Sequence, residues 1–279
     1  MKFLKGLGLA ILGFLLFWSL SVFGLVLTLN QTILNPDFVV SQVNKLDIAS
    51  IAGDMLGEQM PPEAEEFMVG VVNDTIADLE PWIKEQERDS IYSFYDYLEG
   101  RSQSLSLVVS LEPVKESLRE NLREPPAEIE SYFNEFYQQI PSTFDLTEAL
   151  VTPEVTAQLE QVKQIIGYFH LAYNALIGLI LLLILLIIVI HRQVRGSTRG
   201  LGTTFLTCGA LSYAGVLAAK NIAGTQLTQL DIPVYLQGWI PQFLADTLAP
   251  LEMYSIGLLA VGVVLLVVSF VYKPRQTKF

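Results

Sequence analysis

Apolar residues fall into two patterns along this chain. Four runs are apolar on every side, and between the first two lies a long stretch in which apolar positions recur every three or four residues. A hydrocarbon core of roughly 30 Å needs about 20 consecutive apolar residues to be crossed by a helix. The qualifying runs are Gly6 to Leu29, a segment centred on Ala175 to Ile190, Leu201 to Ala219, and Tyr254 to Tyr272. None of them, so bounded, contains Asp, Glu, Lys or Arg. The first follows Lys2 and Lys5 as a signal peptide would, but its apolar run exceeds the usual h-region of about 7–15 residues. It therefore reads as an uncleaved anchor.

The intervening stretch reads as mostly helical. Asn35-Pro36 marks a helix start, with a capping residue followed by proline at the first helical position. Asp47 can cap a short helix with Ile48, Ile51, Ala52, Met55 and Leu56 on one face. After Pro61-Pro62, the spacing of Met68, Val71, Val72, Ile76 and Leu79 predicts another helix. Pro81 is expected to open a further one that Gly100 closes. Ser104 to Leu111 reads as a short strand whose partner is Thr143 to Leu146. Val114, Leu118 and Leu122 form one stripe of the next helix. Beside them run Lys115, Arg119 and Arg123, more simply a solvated face than an anion site. Thr152-Pro153 begins a helix with no breaker before His191, roughly 58 Å long at 1.5 Å per residue.

The fold class is thus mainly α: a four-helix transmembrane bundle plus a mostly helical extracytoplasmic domain with a minor two-strand β ribbon. Residues 1–29 form a cytoplasmic tail and the first span, and 30–164 the acidic external domain. The second span is 165–191, continuous with helix from about 153. A basic cytoplasmic loop, 192–200, precedes the third span at 201–220. A short external amphipathic loop, 221–252, leads to the fourth span and basic tail, 253–279. In that loop, the segment from Asp231 with Trp239 and Phe243 is expected on the membrane surface or as a cap on the large domain.

Charge sets the orientation. All 29 acidic residues lie between Asp37 and Glu252, whereas MKFLK, HRQVRGSTRG and KPRQTKF hold Lys and Arg alone. The positive-inside bias places both termini in the cytoplasm and the large domain outside a cell membrane. Charged residues make up only 16% of the chain against about 25% in soluble proteins. The net charge of −12 argues against nucleic acid as a partner.

Catalytic patterns are absent. The single cysteine, Cys208, permits no intrachain disulfide and no Cys-based zinc site. The two histidines, His170 and His191, both fall at expected membrane edges, so a histidine triad has no place in the external domain. Phosphate-binding glycine loops, GxSxG, HExxH and EF-hand patterns are missing. No enzyme activity, cofactor or metal site is expected.

Three sets of residues remain as candidates. Tyr95, Tyr97, Tyr132 and Phe136 belong to aromatic stripes that either fill the core of the external domain or line a groove for a ligand or partner. Consecutive aromatics cannot all face inward on one helix, so Tyr95 or Tyr97 is expected to face elsewhere. His170 and Asn174 form a polar pair at helical spacing near the outer end of the second span. Ala210, Ala214 and Ala218 form a small-residue packing face on the third.

The stretches LNPDFVVSQVNKLD, DLEPWIKEQ, IYSFYDYLEG and SFVYKPR resemble an uncharacterised family of prokaryotic four-span membrane proteins, a resemblance that implies layout and no chemistry. One span, a large external domain and three further spans is also similar to lipoprotein-release and cell-division ABC permeases. The cytoplasmic segments here are too short for the coupling helix such permeases need. The expected function is a non-enzymatic membrane protein whose acidic domain binds a protein partner or scaffolds an envelope complex. A homo-oligomeric channel or transport component, and a protein binding membrane lipids or another hydrophobic ligand, are the alternatives.

Overall fold

Uniformly apolar sequence leaves a helix no polar face to turn to water, and four such helices dominate the structure. The computed structural model describes residues 2–46, 62–121, 137, 140–145, 147, 152–191, 193–227 and 234–272. In chain order the helices are α1 (Lys2–Gln31), α2 (Pro36–Val43), α3 (Pro62–Leu98), α4 (Glu112–Asn121), α5 (Pro153–His191), α6 (Val194–Leu227), α7 (Val234–Gln237) and α8 (Trp239–Val271). Two strands, β1 (Val108–Ser110) and β2 (Thr143–Asp145), pair antiparallel with Val109 opposite Phe144. Helices α1, α5, α6 and α8 are each long and apolar enough to cross a membrane.

The chain divides into two units. The first comprises Met1–Asn35, Tyr168–Ile232 and Ile240–Phe279. Its core joins Leu16 and Leu20 of α1, Ile180, Leu183 and Ile187 of α5, Leu201 and Cys208 of α6, and Leu258 of α8. These positions recur at three, four or seven residues along their helices, so each helix contributes one stripe. The opposite faces remain exposed and apolar, as at Leu181, Leu211, Leu217, Val263 and Val264. Acyl chains satisfy such a surface where water does not. The turn from α5 to α6 is tight because Gly196 admits the His191 ring, whose Cδ2 lies 2.5 Å from where a Cβ would stand.

The second unit comprises Pro36–Gly167 and Pro233–Trp239. Pro36 does open α2, and Val108–Ser110 does pair with Thr143–Asp145. Leu118 packs with Val114 and Ile140, as the α4 stripe requires. Thr152 caps α5, its Oγ1 accepting from the Val155 N–H at 3.3 Å. Gly100 closes α3 at φ 77°, with the Arg101 N–H donating to the Asp96 carbonyl at 2.8 Å.

Two prolines lie inside helices for the same reason, one of them against expectation. Pro81 does not start a helix; it lies inside α3, which runs unbroken from Pro62 to Leu98. The segment from Trp239 forms the start of α8, which passes through Pro250 without ending. Proline removes one helical hydrogen bond, and apolar residues continuing on both sides of it keep the helix packed. Consequently α8 contains Asp246 and Glu252, and α6 extends past Lys220. The expected short helix from Asp47 and the start of the loop segment at Asp231 lie outside the described residues.

Candidate functional site

In the first unit α6 and α8 run antiparallel and meet backbone to backbone. A Cβ on Gly209 would lie 2.8 Å from the Ser255 carbonyl oxygen, one on Gly262 2.7 Å from the Leu206 nitrogen, and one on Gly202 3.1 Å from the Gly262 carbonyl oxygen. Gly202 and Gly209 repeat at seven residues, as do Ser255, Gly262 and Ser269. That is the period of a left-handed helix pair. The small-residue face Ala210, Ala214 and Ala218, whose neighbour the sequence leaves open, is not part of this seam. All three are exposed, turned away from the seam. Within this chain glycine takes the contact instead, because alanine only tolerates a close approach whereas glycine is required where backbones touch.

Beyond Gly209 the seam ends and a crevice of about 440 Å³ opens between α1, α6 and α8. Leu25, Leu211, Val216, Leu248 and Leu251 supply its apolar wall, and Gly215 and Ala219 widen it. Ser21 and Ser212 bring hydroxyls to it. The Ser21 hydroxyl donates to the Phe17 carbonyl at 2.9 Å and stands 3.5 Å from Cys208 Sγ. On α8 the Tyr254 hydroxyl donates to the Leu20 carbonyl at 2.9 Å, and its ring meets Phe23 edge-on at 5.8 Å. Phe23 in turn stacks on Tyr173 of α5.

Lys220 Nζ donates to Glu252 Oε2, joining the residue after Ala219 to the residue after Leu251. Their side chains are 35% and 27% exposed. Sequence reasoning missed this pair by ending the third span at 219–220 and starting the fourth after 252. The signal available was Lys220 itself, the only Lys or Arg between Arg199 and Lys273. Ionisable residues on membrane-crossing helices are retained at a cost and commonly mark function.

The second unit carries a different constellation. Tyr95 and Tyr97 are 8% and 5% exposed, so neither ring offers the outward surface expected of them. Helix α3 can bury both because its neighbours cover more than one of its faces. The Tyr97 hydroxyl donates to Glu160 Oε1 of α5 at 2.8 Å, and Lys163 Nζ lies 4.7 Å above its ring. That hydrogen bond to a carboxylate, then burial, raises the Tyr97 phenol above its usual range. Burial, and after it the charge of Glu99, does the same for Tyr95. Tyr92 donates to Asp37 of α2, which raises its phenol too. Trp239 Nε1 donates to the Gln42 carbonyl at 2.9 Å, the contact that a cap on the domain would make.

Lys115 Nζ and Arg119 Cζ each stand 5.4 Å from the centre of the Tyr137 ring, which gives the basic row an aromatic support. Tyr132, Phe136 and Arg123 lie outside the described residues. His170 and Asn174 are exposed on α5, and the His170 ring meets Phe169 edge-on at 6.1 Å. Among the described residues, no three His, Cys, Asp or Glu side chains gather as metal ligands. No protein-family model, curated protein or solved structure matches the chain.

Proposed function

We propose that this multi-pass membrane protein is non-enzymatic and that its acidic domain, held outside the cell membrane with both termini in the cytoplasm, docks a protein partner. The observation that carries this reading is a definite polar framework on a strongly charged unit. Between Pro36 and Gly167 there are 26 Asp and Glu against 8 Lys and Arg. Tyr92–Asp37, Tyr97–Glu160 and Asn121–Asp78 tie the elements of that unit to one another. A fixed acidic surface steers a basic partner and selects against acidic ones. Exposed positions such as Glu85 and Asp89 on α3 are available to it.

The test is site-specific photocrosslinking in native membranes. A crosslinker at Asp89 should capture a defined protein, and raised salt should abolish the adduct; a crosslinker at lipid-facing Val263 should not capture it. No adduct from Asp89 under several growth conditions, or the same adduct from both positions, removes the reading. A homo-oligomeric channel or transport component is the second reading, supported by the outward Ala210, Ala214 and Ala218. It requires that the purified protein be oligomeric and that Ala214→Leu dissociate it.

A further inference from the structure

Helices α1, α6 and α8 enclose a crevice open to the side of an apolar bundle, and the Lys220–Glu252 ion pair joins the residues that follow its lining residues Ala219 and Leu251. We propose that it binds one zwitterionic phospholipid bearing a primary amine. An acyl chain lies against Leu25, Leu211, Val216, Leu248 and Leu251, and the headgroup engages Lys220 and Glu252. This site is independent of the partner-docking reading.

Three observations carry it. The volume of about 440 Å³ falls in the range of roughly 300–1,000 Å³ typical of small-molecule sites. The crevice opens beside leucines that are themselves exposed, Leu25 at 57% and Leu211 at 59%. These belong to a bundle whose outer faces are apolar and whose helices have membrane-crossing length, so acyl chains are the solvent at this opening. The third observation is charge. Lys220 offers ammonium N–H donors and Glu252 carboxylate acceptors, both partly exposed. A phosphate matches the first and a primary ammonium the second, each as a charge-assisted hydrogen bond. An anionic headgroup without an amine satisfies Lys220 but faces the Glu252 charge. A choline headgroup has no N–H to give Glu252. The pair therefore discriminates by headgroup chemistry, while the crevice holds the chain.

Gly215 supplies a clean probe. It lines the crevice, and a Cβ there would meet nothing within 4 Å, so a larger side chain starts into open space there rather than against a neighbouring helix. Delipidated full-length protein is titrated with phosphatidylethanolamine, phosphatidylcholine and phosphatidylglycerol of identical chains, and bound lipid is read by native mass spectrometry. Phosphatidylethanolamine should bind about tenfold more tightly than either competitor, as expected for one added charge-assisted contact. Gly215→Leu should remove the bound lipid while keeping the melting temperature, and Ala219→Leu should do the same. Glu252→Leu, which removes the acceptor, should bring phosphatidylethanolamine and phosphatidylcholine to equal affinity, and Lys220→Gln should weaken all three lipids. Equal affinities in the unaltered protein, or undiminished binding in both crevice-filling variants, overturn the proposal. So does a dimer that Gly215→Leu dissociates, because a second copy then occupies the crevice.

Discussion

The ring of Tyr254 rests on the bare backbone of Gly24: a Cβ at Gly24 would stand 2.8 Å from Tyr254 Cε1. This approach lets the Tyr254 hydroxyl reach the Leu20 carbonyl one turn earlier on α1. Gly24→Ala should therefore displace the ring and destabilise the bundle by about 1–3 kcal/mol, the usual range for overpacking. Tyr254→Phe removes only the hydrogen bond and should cost nearer 0.6 kcal/mol, roughly the average for such bonds between membrane helices. Unfolding in mixed micelles measures both. Equal losses would show that Gly24 matters for some reason other than this ring.

The α6–α8 seam makes a stronger demand, because its glycines face backbone atoms that cannot rotate away. Gly209→Ala and Gly262→Ala should each lower stability by about 1–3 kcal/mol or more. Gly257→Ala on α8 is the internal control, since a Cβ there meets nothing within 4 Å. It should be neutral or slightly stabilising through helix propensity. A uniform response of the three would contradict the seam.

Breaking the Lys220–Glu252 pair leaves a charge on an apolar bundle. Lys220→Met should destabilise by about 1–3 kcal/mol, whereas the double variant Lys220→Met with Glu252→Leu should recover most of the loss. The four stabilities of a double-mutant cycle read the coupling. Additive losses would mean that the two side chains do not depend on each other.

In the second unit, titration of buried tyrosines should make stability fall at high pH. Phenols raised in the folded state, as at Tyr95 and Tyr97, keep their stabilising contribution fully below the ordinary value of 10.0. The contribution is lost as pH rises through the higher folded value. Melting curves of the full-length protein from pH 8 upward should decline beyond about pH 10, and less steeply in Tyr97→Phe. An identical slope in that variant would separate the decline from this residue.

Glu87 carries a buried carboxylate oxygen, Oε2, with no hydrogen-bond partner among the described residues. Burial raises its carboxyl above 4.5 while Lys84 opposes the shift. The proton is therefore favoured in the folded state, and the associated stability is present below that ordinary value and gone at neutral pH. Glu87→Gln should raise the unfolding free energy at pH 7, by less than about 1 kcal/mol given its partial exposure to solvent, and change it little at pH 4. A loss of stability at pH 7 would show that the charge is compensated.

Elements whose signals are local could be read from the chain alone. The long apolar runs, Thr152-Pro153, Asn35-Pro36 and Gly100 each act within one or two helical turns, so α1, α5, the start of α2 and the end of α3 were all legible. The pairing of Val108–Ser110 with Thr143–Asp145 was legible too, because few stretches of the domain had strand character. Tertiary structure decided what depends on neighbours. It carried α3 through Pro81 and α8 through Pro250, since packing on both sides outweighs one lost hydrogen bond. It also buried Tyr95 and Tyr97 together and turned the alanines of α6 outward. Composition names the residues able to sit at a contact, but only the crossing of two helices selects Gly202, Gly209 and Gly262. The same crossing leaves a crevice beside Lys220 and Glu252, residues that lie apart in sequence and meet because α6 and α8 run antiparallel.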